Sequence, residues 1–301
     1  MAHGRIGFIG AGKMATAIIR GWISAGTVVA SDLCITAPSD RNTRPLKEEF
    51  PDITVAKTNV DVVQRSTIVF LAVKPHILPI VAAQIKSRVT PAHLLVTIAA
   101  GATTAQVEAM LGPATRVVRV MPNTPCAIRC NAGAVSGGSN ASPADIETVC
   151  NLFAPLSADG TAPDSVPDSL MDAVTGVAGS GPAFVLTFIE AMADGGVYAG
   201  LPRHIAAKLA AQTVMGAAKL VLETGEHPAA LRDAVCSPGG TTITGVRALE
   251  THGLRNAVIS AVAAAAEKGG HLRAQADEQL KRTLAAEEAA AAASAAASAD
   301  A

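Results

Sequence analysis

The chain is poor in large aromatic side chains. Of 301 residues, six are Phe, one is Trp and one is Tyr. Half the residues are nonetheless hydrophobic, and much of that half is Ala. Small side chains of this kind let helices approach closely. An excess of either charge is also missing: 24 basic residues face 25 acidic ones, for a net charge of −1. That balance lacks the basic footprint of a nucleic-acid binder. Five cysteines form an odd set with no CxxC pair, which argues against a disulfide framework or a zinc site. The seven histidines show no ligand spacing, so no metal is expected. A reducing compartment, the cytoplasm, fits this cysteine usage. No uninterrupted apolar run reaches the roughly 18 residues of a membrane span. Met1 to Arg5 is too short to read as a leader before the first strand. The length suits about two domains.

The stretch that organises the rest is GVAGSGPAFVLTFIEAMADGGVYAG, residues 176–200. It reads as a Gly/Ser-rich loop feeding a helix. Ser180 can cap, and Pro182 sits in the first turn. Only Thr187, Glu190 and Asp194 are clearly polar, and at about 100° per residue they fall within about 60° of one another. A helix with so narrow a polar stripe is covered on most sides. It is either a core helix or an interface helix whose start holds a substrate carboxylate.

From the beginning, Arg5–Ile9 reads as a buried strand. Gly10-Ala11-Gly12-Lys13-Met14-Ala15 follows as G-x-G-x-x-A, and a helix runs to Ala25. Strand, glycine turn and helix in this order form a dinucleotide-binding fingerprint. The second strand ends at Ala37, where NAD enzymes place an acid for the ribose diol. Ser39 and Arg41, with Arg44 near, suit a 2′-phosphate instead, unless Ser39 or Asp40 only caps the next helix. NADPH is therefore the expected cofactor. Apolar strands at 68–73, 94–99 and 117–120 alternate with helical patterns at 77–87, 104–111 and 143–153. This order predicts a Rossmann-like doubly wound α/β sheet whose strand ends gather beside the glycine turn. Lys74 and Asn123 then face the cofactor.

Near residue 167 strand signals stop. The division expected is a dinucleotide-binding domain over 1–167, an all-α domain over 168–284, and an Ala-rich tail over 285–301 that is frayed or disordered unless its poly-Ala extends a helix. A second long helix, from Pro202 to Glu223, has an equally narrow polar stripe: Lys208, Gln212, Lys219 and Glu223. Two such helices cannot both hide in a domain of roughly 110 residues, so a partner subunit is expected. Further on, Ser237-Pro238-Gly239-Gly240-Thr241-Thr242 is a Gly-rich turn before a helix. It is either a carboxylate holder or a tight turn with a Thr cap. His227, nearby, reads as structural. The last helix is expected over 255–268.

Together, GFIGAGKMA, LAVKP, IAAG, MPNTP, DAVTGVAGSGPAF, EAMADGG and SPGGTT resemble pyrroline-5-carboxylate reductases over residues 5 to about 275. The resemblance implies reduction of 1-pyrroline-5-carboxylate to L-proline with NADPH or NADH. It also implies interlocked homodimers, which often assemble into decamers, with no nucleic-acid or membrane partner. By position, Gly10, Ala11, Gly12, Lys13 and Met14 resemble the pyrophosphate turn. Ser39 resembles the 2′-phosphate contact, Asn59 a ribose or adenine-side contact, and Ala72, Lys74 and Ala100 the nicotinamide edge. Asp168, Val174, Thr175, Gly179, Ser180, Gly181, Thr241 and Thr242 resemble the substrate side, with Thr242 the catalytic candidate. Two other readings stand beside this one. A 3-hydroxyacid dehydrogenase would need a Lys near the start of the long helix, and none lies between Gly176 and Gly200. An NADP-sensing module without chemistry would show a degraded substrate loop.

Overall fold

A computed structural model describes residues 4–299. It divides into two compact units, Met1–Gly179 together with Ala265–Ala301, and Ser180–Ala264.

The first unit is built on one sheet. Its strands are β1 (Ile6–Ile9), β2 (Leu33–Thr36), β3 (Thr54–Val55), β4 (Ile68–Leu71), β5 (Leu94–Thr97), β6 (Arg116–Met121), β7 (Ala134–Gly137) and β8 (Asp164–Ser165). They lie in the order β3-β2-β1-β4-β5-β6-β7-β8. Every pair is parallel except β6 with β7. The crossovers are α1 (Lys13–Ala25), α2 (Asp40–Glu49), α3 (Asn59–Arg65), α4 (Leu78–Ile85), α5 (Thr104–Leu111) and α6 (Pro143–Phe153). A parallel sheet covered by helices must be apolar on both faces. The inner strands accordingly alternate between two cores. Phe8, Phe70, Val96 and Val118 meet Ile18, Trp22 and Phe153 on one side. Ile9, Val69, Leu71, Leu95 and Val117 meet Val81, Ile85 and Val107 on the other. Few as they are, the aromatics are concentrated here. Phe8 stacks on Phe70 at 4.7 Å and Trp22 meets Phe70 edge-on at 5.4 Å. The Trp22 indole N–H donates to the Leu152 carbonyl at 2.6 Å. The buried Cys126 thiol is pushed up to about 12 by desolvation.

After β8 the chain forms a short helix, α7 (Met171–Val174), then a π-helical stretch over Thr175–Gly179. The second unit holds α8 (Gly181–Tyr198), α9 (Arg203–Thr224), α10 (Pro228–Val235) and α11 (Thr241–Thr251). The closing helix, α12, runs over Leu254–Ala299 and passes from the second unit into the first.

Helix α8 packs on α9, with Gly196 close against Ala206. Ala193, Ala206 and Ala210 form the buried cluster of this unit. Val185, Leu186, Leu209 and Met215 stay exposed. Two helical stretches, Asp168–Tyr198 and Arg203–Thr224, are long and apolar enough to span a bilayer by length and composition. Their apolar faces are bare within one chain.

Three expectations are corrected. Strands β7 and β8 were not expected; they are short, and AVSG and DS carry little apolar patterning. The Gly/Ser stretch before α8 is helical rather than a loop. The last helix continues far beyond residue 268, through the Ala-rich segment to Ala299. Alanine has the highest helix propensity, and Leu280 is buried in the second core of the sheet. The compact units part at residue 179 and return at 265, where ion pairs and Leu280 bind residues 168–179 and 265–283 to the sheet unit.

Candidate active site

The glycine turn lies where the strand order reverses, between β1 and β4, which is where open α/β sheets bind ligands. Gly10 has φ +101°, and a Cβ there would stand 2.5 Å from the Ala72 carbonyl oxygen. Only glycine fits that turn. Ala11 is buried. Gly12 is the N-cap of α1 in extended conformation, and a Cβ on it would meet no protein atom within 4 Å. The first backbone bond of the helix is Thr16 N–H to the Gly12 carbonyl, 2.9 Å. The N–H groups of Lys13, Met14 and Ala15 therefore have no partner within the helix. No acid stands in this turn to occupy them. Unpaired N–H groups, the positive end of a helix and open space in front of Gly12 fit a pyrophosphate.

A cavity of about 290 Å³ runs from this turn to the start of α2, lined by Gly12, Lys13, Thr16, Arg41 and Asn42 among others. Ser39 occupies the N-cap position of α2, yet its hydroxyl makes no capping bond. Asp40 is engaged by Arg44 across one helical turn. Arg44 is thereby withdrawn from the role expected beside Ser39. Arg41 has no ion pair among the described residues. An exposed Ser, a free Arg and Lys13 suit a 2′-phosphate, and the chain provides no acid at Ala37 to hold a bare ribose diol.

The parallel register aligns Ile9 with Leu71, Leu71 with Thr97 and Thr97 with Arg119. Ala72, Lys74 and Ala100 therefore follow strand ends at one edge of the sheet. Ala72 donates its N–H to Ile9 at 2.9 Å, and Lys74 is exposed. Asn59 begins α3 and donates to Gln84 Oε1 at 2.6 Å, while Thr58 caps that helix. Asn123 was expected to face the cofactor. It is buried, its Oδ1 accepts from Ala132 N–H at 3.1 Å, and it holds its own turn together.

The second set of expected residues divides. Val174, Thr175 and Gly179 are in the first unit; Ser180, Gly181, Thr241 and Thr242 are in the second. Thr175 donates its hydroxyl to the Met171 carbonyl at 2.8 Å. Gly179 lies beside the Met121 side chain, whose Cε would be 2.4 Å from any added Cβ. Ser180 has helical φ/ψ and makes no capping bond, so the open helix start expected there is absent. The helical path simply continues back through the π turn, a geometry common at functional sites.

At the other turn, Gly240 is the N-cap of α11 and no side chain caps it. The first backbone bond of α11 is from Thr244 N–H to the Gly240 carbonyl, 3.3 Å. Thr241 and Thr242 are exposed, and their hydroxyls bond to no described residue. The alternative of a Thr cap is thus not realised; the hydroxyls and first-turn N–H groups are free for a carboxylate. His227 caps α10, accepting from Ala229 N–H at 3.2 Å, as a structural residue does.

Asp168, expected near the substrate, is spent elsewhere. Its Oδ1 accepts from Arg119 at 2.9 Å and its Oδ2 from Thr104 N–H at 3.4 Å. Buried Arg119 and Asp172 and the partly exposed Arg273 belong to the same cluster and were not anticipated. The signal was present: an arginine inside the inner strand RVVRVM needs a buried acid, and Asp168 and Asp172 are one helical turn apart.

Comparison with known proteins agrees with this layout. Residues 168–272 match the family model described as pyrroline-5-carboxylate reductase dimerisation. Residues 5–101 match one described as NADP oxidoreductase, coenzyme F420-dependent. The chain is 45% identical over 272 residues to a pyrroline-5-carboxylate reductase of Methanosarcina acetivorans, covering 90% of this chain and 99% of that relative. It is 44% identical to the Escherichia coli K12 pyrroline-5-carboxylate reductase, covering 89% and 98%. A crystal structure of the Plasmodium falciparum pyrroline carboxylate reductase with NADP bound superposes with a TM-score of 0.80 at 30% identity, over 91% of this chain and 99% of that one. With a glycine turn at the sheet's switch point, a helical half matched by a dimerisation model and such likeness along nearly the whole length of its relatives, the chain belongs to the pyrroline-5-carboxylate reductase family.

Proposed function

We propose that the chain carries out its family's reaction, the NADPH-dependent reduction of 1-pyrroline-5-carboxylate to L-proline, by positioning rather than with a strong protein acid. The observation that carries this is the pair of uncapped helix starts, at Gly12 and at Gly240, each free of acidic side chains in its first turn. Bound NADPH supplies a hydride to the C=N carbon of the cyclic imine, and the ring nitrogen takes up a proton. Backbone N–H groups of Lys13, Met14 and Ala15 hold the pyrophosphate, and Ser39 with Arg41 selects the 2′-phosphate over the bare diol of NADH. Asn59 serves the ribose or adenine side. Ala72, Lys74 and Ala100 border the nicotinamide. Thr241 and Thr242 offer N–H groups and hydroxyls to the substrate carboxylate, and Val174, Thr175, Gly179, Ser180 and Gly181 are further substrate-side residues by the family resemblance. The Thr242 hydroxyl orients the ring nitrogen. An imine can be protonated before hydride arrives, so fixed dipoles suffice.

In this reading residues 1–167 bind the dinucleotide, and 168–284 supply the substrate side and the subunit interface. A second copy, not lipid, covers the bare faces of α8 and α9, making a homodimer that can serve as the unit of a decamer. Five unpaired cysteines suit the reducing cytoplasm. The dehydrogenase and sensor alternatives are not favoured, since the relatives that match almost end to end are reductases. The test is to mix the chain with pyrroline-5-carboxylate and either NADPH or NADH. Loss of reduced-nicotinamide absorbance with formation of proline is expected, faster with NADPH at limiting concentration. A folded, NADPH-binding sample that forms no proline would refute the reading.

A further inference from the structure

We propose that Arg119 is a positioning residue for the reaction, acting through Asp168 and Asp172 to hold the segment that bears Val174, Thr175 and Gly179 in register with the cofactor edge of the sheet. The proposal rests on the functional reading above, in which that segment lines the substrate pocket.

Arg119 is in the middle of β6 and is 1% exposed. Its Nη1 donates to Asp168 Oδ1 at 2.9 Å. Its Nη2 stands 3.9 Å from Asp172 Oδ1, and both of these atoms are buried without a hydrogen-bond partner. The other oxygen of Asp172 is 3.1 Å from Arg273 Nη1 on α12. From there the connection returns to α5. Gln106 donates to the Arg273 carbonyl at 3.3 Å and to Asp277 Oδ1 at 2.6 Å, while its own Oε1 accepts from Thr103 N–H at 2.9 Å. The ring closes where Thr104 N–H meets Asp168 Oδ2 at 3.4 Å.

Each member stands a few residues from the site. Thr103 and Thr104 follow Ala100 and Gly101. Gly101 has φ +79°, and the Leu272 Cβ of α12 would be 3.2 Å from any Cβ placed on it. Arg119 is two residues before Met121, the side chain that meets Gly179. Asp172 is two residues before Val174. One partly buried polar ring therefore ties the cofactor edge, the end of β6 and the substrate segment into a single arrangement. A buried ion pair is often no better than an apolar residue of the same size, but it does select one geometry of its partners. The open contact between Arg119 Nη2 and Asp172 Oδ1 marks a ring that specifies position without being fully satisfied.

The test uses three variants of the full chain. Arg119→Met alone leaves two buried carboxylates and risks unfolding. It is therefore made together with Asp168→Asn and Asp172→Asn, which removes the three inner charges together and leaves the more exposed Arg273 in place. Arg273→Met breaks only the link to α12, at a side chain 35% exposed. Arg119→Lys keeps the charge. Expected for the triple variant is a loss of about 10- to 100-fold in kcat/KM for pyrroline-5-carboxylate, as for a misplacement on the order of 1 Å. NADPH affinity and sedimentation should be unchanged. Arg273→Met should lose less, and Arg119→Lys should recover part of the activity. Amide hydrogen exchange over residues 171–179 reads the same effect without substrate and should quicken in the triple variant while α1 is unaffected. Folded variants with wild-type kinetics and wild-type exchange at 171–179 would overturn the proposal, as would an equal loss of NADPH affinity. A wild-type chain that forms no proline would instead refute the functional reading, and the exchange data would still decide the positioning.

Discussion

The sheet unit and the α8–α9 pair spend their hydrophobic residues differently. The sheet unit buries its own. Phe8, Trp22, Phe70 and Phe153 interlock beneath strands whose apolar side chains are almost fully covered. In the α8–α9 pair the buried cluster is three alanines, and Val185, Leu186, Leu209 and Met215 face outward. Apolar area left in water costs about 25 cal/mol per Å². One region therefore buries its apolar residues within its own chain, while the other leaves an apolar face bare, over residues that match the dimerisation model at 168–272. A polypeptide can satisfy the same overall hydrophobicity through a core or through a partner, and composition does not distinguish the two.

The comparison breaks most sharply at Met192, which is 37% exposed and lies with Val185 on the side of α8 opposite Thr187, Glu190 and Asp194. Met192→Glu would put an unpaired carboxylate into the seam from both copies, each costing several kcal/mol to desolvate. The variant should still bind NADPH, sediment as a monomer and retain little reductase activity. A wild-type chain that sediments as a fully active monomer at assay concentration would end this contrast between the halves.

A change in the aromatic core tests the other side. Trp22→Ala should cost about 3–5 kcal/mol of stability by leaving a cavity between α1 and the sheet. Its loss in denaturation midpoint should not depend on protein concentration, because the core belongs to one chain. A shift that grows on dilution would show that the sheet unit, too, leans on its partner.

The smallest effect sharpens the contrast at the site. Thr242→Ala removes one hydroxyl from an exposed helix start and should leave the fold, the NADPH affinity and the sedimentation unaltered. Turnover should fall by the equivalent of about 2–4 kcal/mol, the worth of one oriented donor in the transition state. Unchanged turnover would remove Thr242 from the chemistry.

Much of the sheet unit was legible because its signals are local. Strand periods of two, helix periods near 3.6 and glycines at a turn are all written in neighbouring residues. Helices Thr104–Leu111 and Pro143–Phe153 match their expected bounds, and Gly26 ends α1 in the left-handed conformation. Elements of low contrast were missed or misread. β7 and β8 have only four and two residues, and the Gly/Ser stretch before α8 resembles a loop until it is held in a helical path. At the site, the open turns at Gly12 and Gly240 could be anticipated. The i,i+4 pair of Asp40 with Arg44 could have been read from spacing as well; the engagement of Asn123 by Ala132 could not, since it depends on how the chain after β6 folds back.

By itself, then, the sequence determined the strand–helix alternation, the glycine turn and the narrow polar stripes of α8 and α9, all properties of residues a few positions apart. Tertiary structure alone decided that Arg119 would be neutralised by Asp168, that Gln106 would bond to Asp277, and that Leu280 would hold an Ala-rich helix against the sheet. Those pairings join residues 49, 171 and at least 163 positions apart. A charge or an apolar side chain states that it needs a partner, but only the packed chain brings one within reach.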